Sequence, residues 1–143
     1  MVRPARRRSG PPVQAAHALV LDREGLSRAA TGNQRAAAWI ARARELRLPL
    51  AVNAVTLTET LRGGGRDAPI HLLTRNAQID TVDSSFAAEA GRLLGRTRRD
   101  DTVDALVATT AIGLARPAVI LTSDPDDLSA LTAEHRQIRV LAV

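Results

Sequence analysis

The stretch His17-Ala-Leu-Val-Leu-Asp22 is a run of four apolar residues that ends at an acid. A short, continuous apolar run of this kind predicts a strand buried on both faces, as the strands of a parallel sheet are. Similar runs, the one at 79–82 being weak, predict four more strands at residues 50–53, 79–82, 118–122 and 138–142.

Helical patterns fill the intervals between these strands, at about residues 23–30, 34–47, 55–62, 67–76, 84–97 and 102–115, with a short helix after Pro125. Alternation of strands and helices with short links predicts an α/β fold with a doubly wound parallel sheet. The chain has 143 residues, a length that suits one domain with a substantial core.

Composition excludes several classes of protein. With one Trp, one Phe and no Tyr, the chain has almost no aromatic platform on which nucleic-acid bases stack, so a nucleic-acid partner would be held by phosphate contacts. The absence of cysteine excludes a disulfide framework, a zinc ribbon and thiol catalysis, and it fits a reducing cytoplasm. No apolar run reaches the ~18 residues that a membrane helix needs, so no membrane partner is expected.

The positive charge is concentrated at the N-terminus. Residues 1–16 are predicted to be a basic tail, and residues 17–143 the folded domain. The tail holds four of the twenty basic residues and no acid, so the remaining chain is nearly neutral, with sixteen arginines against fifteen acids. Such a tail can add phosphate affinity that does not depend on nucleotide sequence, and it equally fits a solvated extension that is dispensable for folding.

Four carboxylates occupy related positions in this pattern. Asp22 follows the first strand, Glu59 comes about one helical turn after the second, and Asp124 follows the fourth; Asp104 opens the helix that leads back to the fourth strand. In an open α/β sheet all of these positions lie at the carboxyl edge, where ligands bind. Clustered carboxylates repel one another unless they share a proton or a cation. The pattern therefore predicts a metal site and chemistry on phosphates.

Each of these acids also has a purely structural interpretation. Thr56-Leu-Thr-Glu59 matches a capping box, and Asp124-Pro125 matches a helix N-cap followed by proline. Asp22 can cap the helix that follows it, and Asp104 suits the first turn of a helix because of the helix dipole. Coincidence accounts poorly for acids at all four positions, so the clustered site is the preferred hypothesis.

Four segments carry a family resemblance: Val20-Leu-Asp22, Leu57-Thr-Glu59-Thr-Leu61, Asp104-Ala-Leu-Val-Ala-Thr-Thr-Ala111 and Ile120-Leu-Thr-Ser-Asp124. In order and spacing they resemble the PIN-domain nucleases, and most closely the small VapC-type toxins of bacterial toxin–antitoxin pairs. The resemblance covers essentially all of residues 17–143. It implies a five-stranded parallel sheet in the order 3-2-1-4-5 and an endoribonuclease that depends on Mg²⁺ or Mn²⁺, hydrolysing RNA without a covalent enzyme intermediate.

The resemblance also implies the site residues. The catalytic and metal-binding acids of the family correspond to Asp22, Glu59, Asp104 and Asp124. Thr122 matches the hydroxyl residue of the fourth motif. Two features depart from the family pattern, because Ser123 stands where many members have arginine, and Asp126 and Asp127 crowd the fourth acid. Asp127 is therefore a candidate accessory residue.

Partners are predicted from the same resemblance. An RNA substrate, a cognate small antitoxin and a homodimer are implied, and apolar residues on the helices around 34–47 and 55–62 are the sequence hint for a protein interface. Arg96, Arg98 and Arg99 are candidates for RNA contacts, with a solvated helix end as the structural alternative.

Two other function classes share this outline. A catalytically silent PIN-like module that binds RNA or protein would have the same fold, and a metal titration with RNA would distinguish it from a nuclease. A phospho-acceptor signalling domain also clusters Asp residues at strand ends, but those domains rely on a lysine near the acids, and this chain has no lysine.

Overall fold

The computed structural model describes residues 16–143, so the predicted tail lies outside the described residues except for Ala16, which is buried. Five strands pair in parallel in one sheet of order 3-2-1-4-5. They are β1 (Ala18–Leu21), β2 (Leu50–Asn53), β3 (Gln78–Asp80), β4 (Ala118–Thr122) and β5 (Ile138–Ala142). The predicted fold class and strand order are confirmed.

Seven α-helices connect or flank these strands along residues 16–143: α1 (Arg23–Ala30), α2 (Gln34–Glu45), α3 (Ala54–Thr60), α4 (Ala68–Thr74), α5 (Ser84–Thr97), α6 (Thr102–Gly113) and α7 (Pro125–Leu131). A 3₁₀ turn at Gly65–Asp67 precedes α4. None of the helices in the described part of the chain is long and apolar enough to cross a membrane.

The third strand ends earlier than the sequence predicted. It was expected at residues 79–82, but β3 covers Gln78–Asp80. Asp80 aligns with Asn53, the last residue of β2, so the chain beyond Asp80 has no neighbouring strand with which to pair. A strand at the edge of a sheet has only one partner, and its length follows that partner.

The sheet separates two hydrophobic clusters because successive side chains of a strand point to opposite faces. Val20 of the central strand β1 packs with residues of α5, α6 and α7, among them Ala90, Leu93, Leu106 and Leu128. Leu19 and Leu21 pack on the other face with residues of α1, α2 and α4, among them Leu26, Ile40 and Ile70. Each fully buried leucine contributes about 1.5–3 kcal/mol to folding. This two-sided core fixes the carboxyl ends of β1 and β4.

Helix α1 packs directly on the backbone of β4 at Gly25. A Cβ atom added at Gly25 would lie 2.2 Å from the carbonyl oxygen of Leu121. The Gly25 N–H donates a 2.7 Å hydrogen bond to Oδ1 of Asp22, which is the N-cap of α1. The missing side chain therefore lets the start of α1, with Asp22, lie against the end of β4.

We expect Gly25→Ala to destabilise the fold by about 2 kcal/mol or more, because the new methyl group would overlap backbone that cannot move freely. Gly91→Ala is the matched control, since Gly91 lies inside α5 and an added Cβ meets no atom within 4 Å. The free energy of unfolding of Gly91→Ala should rise by roughly 0.5–1 kcal/mol, because alanine has a higher helix propensity than glycine. Urea denaturation measures both, and equal stability of the two variants would contradict the close packing of α1 on β4.

Candidate functional site

A cleft of about 270 Å³ opens at the carboxyl edge of the sheet. Its walls come from the end of β1, the start of α1, α3, the first turns of α6, and the link from β4 to α7. The lining residues are Asp22, Arg23, Glu24, Glu59, Val103, Asp104, Val107, Thr122, Ser123, Asp124 and Asp127. The structure thus brings all four predicted acids together with Thr122 and Asp127, while their catalytic roles stay a prediction.

Asp22 is a buried carboxylate with a fixed position. Asp22 is only 8% exposed, and its Oδ1 accepts the hydrogen bond from the Gly25 N–H that caps α1. Burial raises the pKa of Asp22 above its ordinary value, while hydrogen bonding from the Thr122 side chain and the Gly25 N–H partly opposes the rise. The structural interpretation of Asp22 as a cap is correct, and the same carboxylate lines the cleft.

Glu59 does not form the capping box that its sequence context suggested. The N-cap of α3 is Asn53, whose side-chain oxygen accepts a 2.9 Å bond from the Val55 N–H. Glu59 lies near the end of the helix, and among the described residues its buried Oε1 has no hydrogen-bond partner. Burial raises the pKa of Glu59, Arg23 opposes the rise, and the nearby charges of Asp22 and Glu24 add to it.

Asp104 is a cleft acid whose pKa is strongly raised. Burial, followed by repulsion from Asp127, Asp22, Asp101 and Glu59, raises the pKa of Asp104 from 3.8 to about 6. Helix α6 carries this acid in its first turn, and the residues that follow it, 105–111, are all buried. It is tied to the end of β2 by a 3.2 Å bond from the Asn53 amide to the Thr110 hydroxyl. Asp104 is therefore held in the cleft by the core.

Asp124 is the most exposed of the four predicted acids, and it is also the N-cap of α7, as the structural interpretation anticipated. The buried Thr122 hydroxyl accepts a 3.2 Å bond from the Asp124 N–H. Thr122 therefore fixes the turn that places Asp124 at the cleft.

The tightest group of carboxylates in the described part of the chain is not the predicted set of four. One oxygen from each of Asp101, Asp104 and Asp127 lies within 4.8 Å of the others. Arg99 contacts two members of this group, with Nε 3.1 Å from Oδ2 of Asp101 and Nη2 in a short contact with Oδ1 of Asp127. Only Asp104 belongs both to this group and to the predicted four.

Sequence reasoning missed three residues of this region. Arg23 and Glu24 line the cleft and form an ion pair with each other at 2.5 Å, and their signal was their place directly after Asp22. Asp101 is the third missed residue, and no sequence pattern marked it. Of the three arginines predicted to contact RNA, Arg99 is paired with Asp127 of the cleft and with Asp101. Arg96 lines a separate groove between α5 and α6. Arg98 is exposed at the end of α5.

The donor set of the cleft fits a hard divalent cation. Six carboxylates and one arginine line it, and oxygen ligands are those that Mg²⁺ and Mn²⁺ prefer. The buried Oε1 of Glu59 loses its contacts with water on folding and gains no hydrogen bond from the described residues, so it is available to a cation. The raised pKa values of Asp22, Glu59 and Asp104 share burial as their first cause, and a cation bound among them would offset that cost.

Comparisons with known proteins bear on the fold. No protein-family model matches the sequence, and no curated protein matches it. Among solved structures, a chain of VapBC2 from Rickettsia felis, bound to a DNA fragment from its promoter, is 12% identical with a TM-score of 0.63, over 87% of this chain and 98% of that one. The chain has the PIN fold of VapC-type toxins.

Two further structures agree on the PIN fold. A chain of VapBC-1 from nontypeable Haemophilus influenzae is 16% identical with a TM-score of 0.58, over 87% of this chain and 96% of that one. A chain of VapBC-5 from Mycobacterium tuberculosis, a member of the VapBC family of toxin–antitoxin systems, is 21% identical with a TM-score of 0.50, over 89% and 99%. At these identities the likeness concerns the fold, and it spans nearly the whole of the compared chains.

The raised pKa of Asp104 predicts how stability depends on pH in metal-free buffer. Because the folded state binds this proton more tightly than the unfolded chain, the contribution of Asp104 to stability falls as pH rises from about 4 to about 6. At pH 7.5 the wild type therefore carries a charged, partly buried carboxylate at a cost. We expect Asp104→Asn to melt at a higher temperature than the wild type at pH 7.5, with the difference shrinking toward pH 4.

Asp100→Asn is the control for this measurement, since Asp100 is an exposed acid four residues away. It should leave the melting temperature nearly unchanged at both pH values. A lower melting temperature for Asp104→Asn at pH 7.5 would contradict the electrostatic account of the cleft.

Proposed function

We propose that this chain is a metal-dependent endoribonuclease that hydrolyses RNA phosphodiester bonds and acts as the toxin of a toxin–antitoxin pair. The observation that carries the proposal is the convergence of four predicted acids, from four separate places in the chain, on one cleft. The PIN fold supports it, because the similar structures are VapBC proteins. The choice of RNA as substrate rests on the family resemblance.

Asp22, Glu59, Asp104 and Asp124 would hold Mg²⁺ or Mn²⁺. When bound, the cation makes hydroxide available near neutral pH and shields the negative charge of the phosphate. Without a cation, the six carboxylates of the cleft outnumber its single arginine and repel an RNA backbone. Cleavage is therefore expected to be absent when divalent cations are chelated.

The side chains around these acids have supporting roles. Thr122 fixes the turn that carries Asp124, and the Gly25 N–H fixes Asp22 through the α1 cap. Val103 and Val107 give the cleft an apolar wall, which keeps the neighbouring carboxylates poorly solvated. Arg23 is half exposed and supplies the positive charge of the lining that an incoming phosphate would meet.

We also propose a small antitoxin as protein partner and a homodimer as the assembly. The large apolar residues that the fold exposes within the described chain are Leu46, Leu72, Ile79, Val82 and Val103. The sequence hint had placed such residues on helices around 34–47 and 55–62, and of these two segments only the first contributes one, Leu46. A groove between α2 and α4 lies beside Leu72, which is 65% exposed. Exposed apolar surface of this kind supports a protein contact.

The nuclease proposal is tested by Asp22→Asn. Asparagine still caps a helix, so the variant keeps the cap and removes only the charge. We expect it to abolish metal-dependent RNA cleavage while its melting temperature in metal-free buffer stays the same or rises, because a member of a crowded carboxylate cluster is neutralised. Mg²⁺ or Mn²⁺ should raise the melting temperature of the wild type more than that of the variant.

Asp83→Asn is the matched control, since Asp83 caps α5 through a 2.8 Å bond from the Phe86 N–H and does not line the cleft. It makes the same chemical change at the same kind of helix position, and it should cleave RNA as the wild type does. Two results would refute the nuclease proposal. One is full RNA cleavage by Asp22→Asn, and the other is an equal rise in melting temperature with Mg²⁺ or Mn²⁺ for the wild type and Asp22→Asn.

The dimer proposal is tested by light scattering of the purified chain. We expect the mass of a dimer at micromolar concentration, and Leu72→Glu should shift it toward the monomer because a charge in an apolar contact is costly. A strict monomer at high micromolar concentration would refute the dimer and leave the nuclease proposal standing.

A further inference from the structure

Arg99 lies between two carboxylates that come from different parts of the fold. Asp101 belongs to the link between α5 and α6, and Asp127 belongs to the first turn of α7. The guanidinium contacts the first through Nε and the second through Nη2. The three side chains are 30%, 31% and 38% exposed, so the pairs are partly shielded from solvent.

This pairing matters because of the third carboxylate in the group. Oxygens of Asp101, Asp104 and Asp127 lie within 4.8 Å of one another, and Asp104 and Asp127 also line the cleft. Three carboxylates at this separation attract cations strongly when they are only partly solvated. Two of the three already share the positive charge of Arg99, which is permanent because a guanidinium does not lose its proton in proteins.

A divalent cation that enters the cleft therefore meets two unequal sets of acids around Asp104. Within residues 16–143, neither Asp22 nor Glu59 forms an ion pair with an arginine, and Oε1 of Glu59 has no hydrogen-bond partner there. Toward Asp101 and Asp127 a cation would have to displace the guanidinium from two contacts at once. An arginine held by two carboxylates on different elements is a costly group to displace.

We propose that Arg99 is a tethered counter-cation that withholds Asp101 and Asp127 from the divalent metal, so that Asp104 binds the metal together with Asp22 and Glu59. This inference rests on the proposed metal-dependent function and adds a specificity-determining residue to it. It assigns Asp127 to Arg99 instead of to the metal. It also gives Arg99 a role inside the protein in place of the predicted contact with RNA.

Calorimetric titration of the full chain with Mn²⁺, in the absence of RNA, tests the inference. Arg99→Gln removes the counter-charge, so we expect Mn²⁺ to bind roughly tenfold more tightly, or with an additional equivalent, than in the wild type. Arg99→Lys keeps a positive charge and should remain close to the wild type. Arg98→Gln makes the same change in net charge at the exposed neighbouring position and is the matched control.

Two further variants leave Arg99 in place and so do not depend on the folding of Arg99→Gln. Asp101→Asn and Asp127→Asn should each weaken Mn²⁺ binding much less than Asp104→Asn does. In the Arg99→Gln background, Asp127→Asn should remove the gained affinity, because the freed carboxylate is its source. This reversal is a coupling that a merely structural role for Arg99 would not produce.

Three results would overturn the inference: equal Mn²⁺ binding by Arg99→Gln and Arg98→Gln, a loss in Asp127→Asn as large as that in Asp104→Asn, or no Mn²⁺ binding by either the wild type or Arg99→Gln. RNA cleavage is scored separately. If Mn²⁺ binding follows the expected pattern and no RNA is cleaved under any metal condition, the role of Arg99 stands and the nuclease proposal fails.

Discussion

Like-charge repulsion at the carboxyl edge of the sheet is the constraint that organises this protein. Six carboxylates line a cleft of about 270 Å³ together with one arginine. Burial is the first cause of the raised pKa values of Asp22, Glu59 and Asp104, and repulsion from neighbouring carboxylates adds to the rise in each case. Such a cluster opposes folding, and it persists because the two hydrophobic clusters on either face of the sheet hold the strand ends in place. The stability of the core thus offsets the unfavourable repulsion among the carboxylates at the edge of the sheet. Clusters of this kind, with shifted pKa values, are typical of functional sites.

Structural and functional roles coincide in this cleft. Asp22 and Asp124 are both helix N-caps, and both line the cleft. A cap needs a side-chain oxygen that accepts a backbone N–H bond, and one oxygen of a carboxylate suffices for that. The two interpretations of these acids are therefore compatible, and the capping bond is the means by which the carboxylate is oriented. Glu59 is different, because Asn53 caps its helix and leaves the glutamate free of that role.

Much of the fold was predictable because it depends on local patterns. The apolar runs predicted β1, β2, β4 and β5, and the rule that strand ends and helix starts share one edge predicted which acids meet. The strand order came from the resemblance to PIN domains, since no local pattern encodes it. The predicted end of β3 was wrong, because the length of this edge strand is set by that of its neighbour β2.

The group around Arg99 was not predictable for a related reason. The contact between Arg99 and Asp127 joins residues 28 positions apart, and it requires the relative placement of α5, α6 and α7. The sequence showed only a run of arginines beside two acids, a pattern that is equally typical of a solvated helix end. The exposed position of Leu72 on α4 has the same origin, because exposure depends on which helices pack nearby.

The central claim is that the acids of the cleft jointly bind a divalent cation, and crystals of the wild-type chain grown with Mn²⁺ test it most directly. An anomalous difference map would locate the ion without reference to activity. The account predicts a peak at coordination distance from Asp22 and Asp104, with the Arg99 side chain still in contact with Asp127. No peak in the cleft at saturating Mn²⁺, or a peak bound by Asp101 and Asp127 with Arg99 displaced, would contradict it.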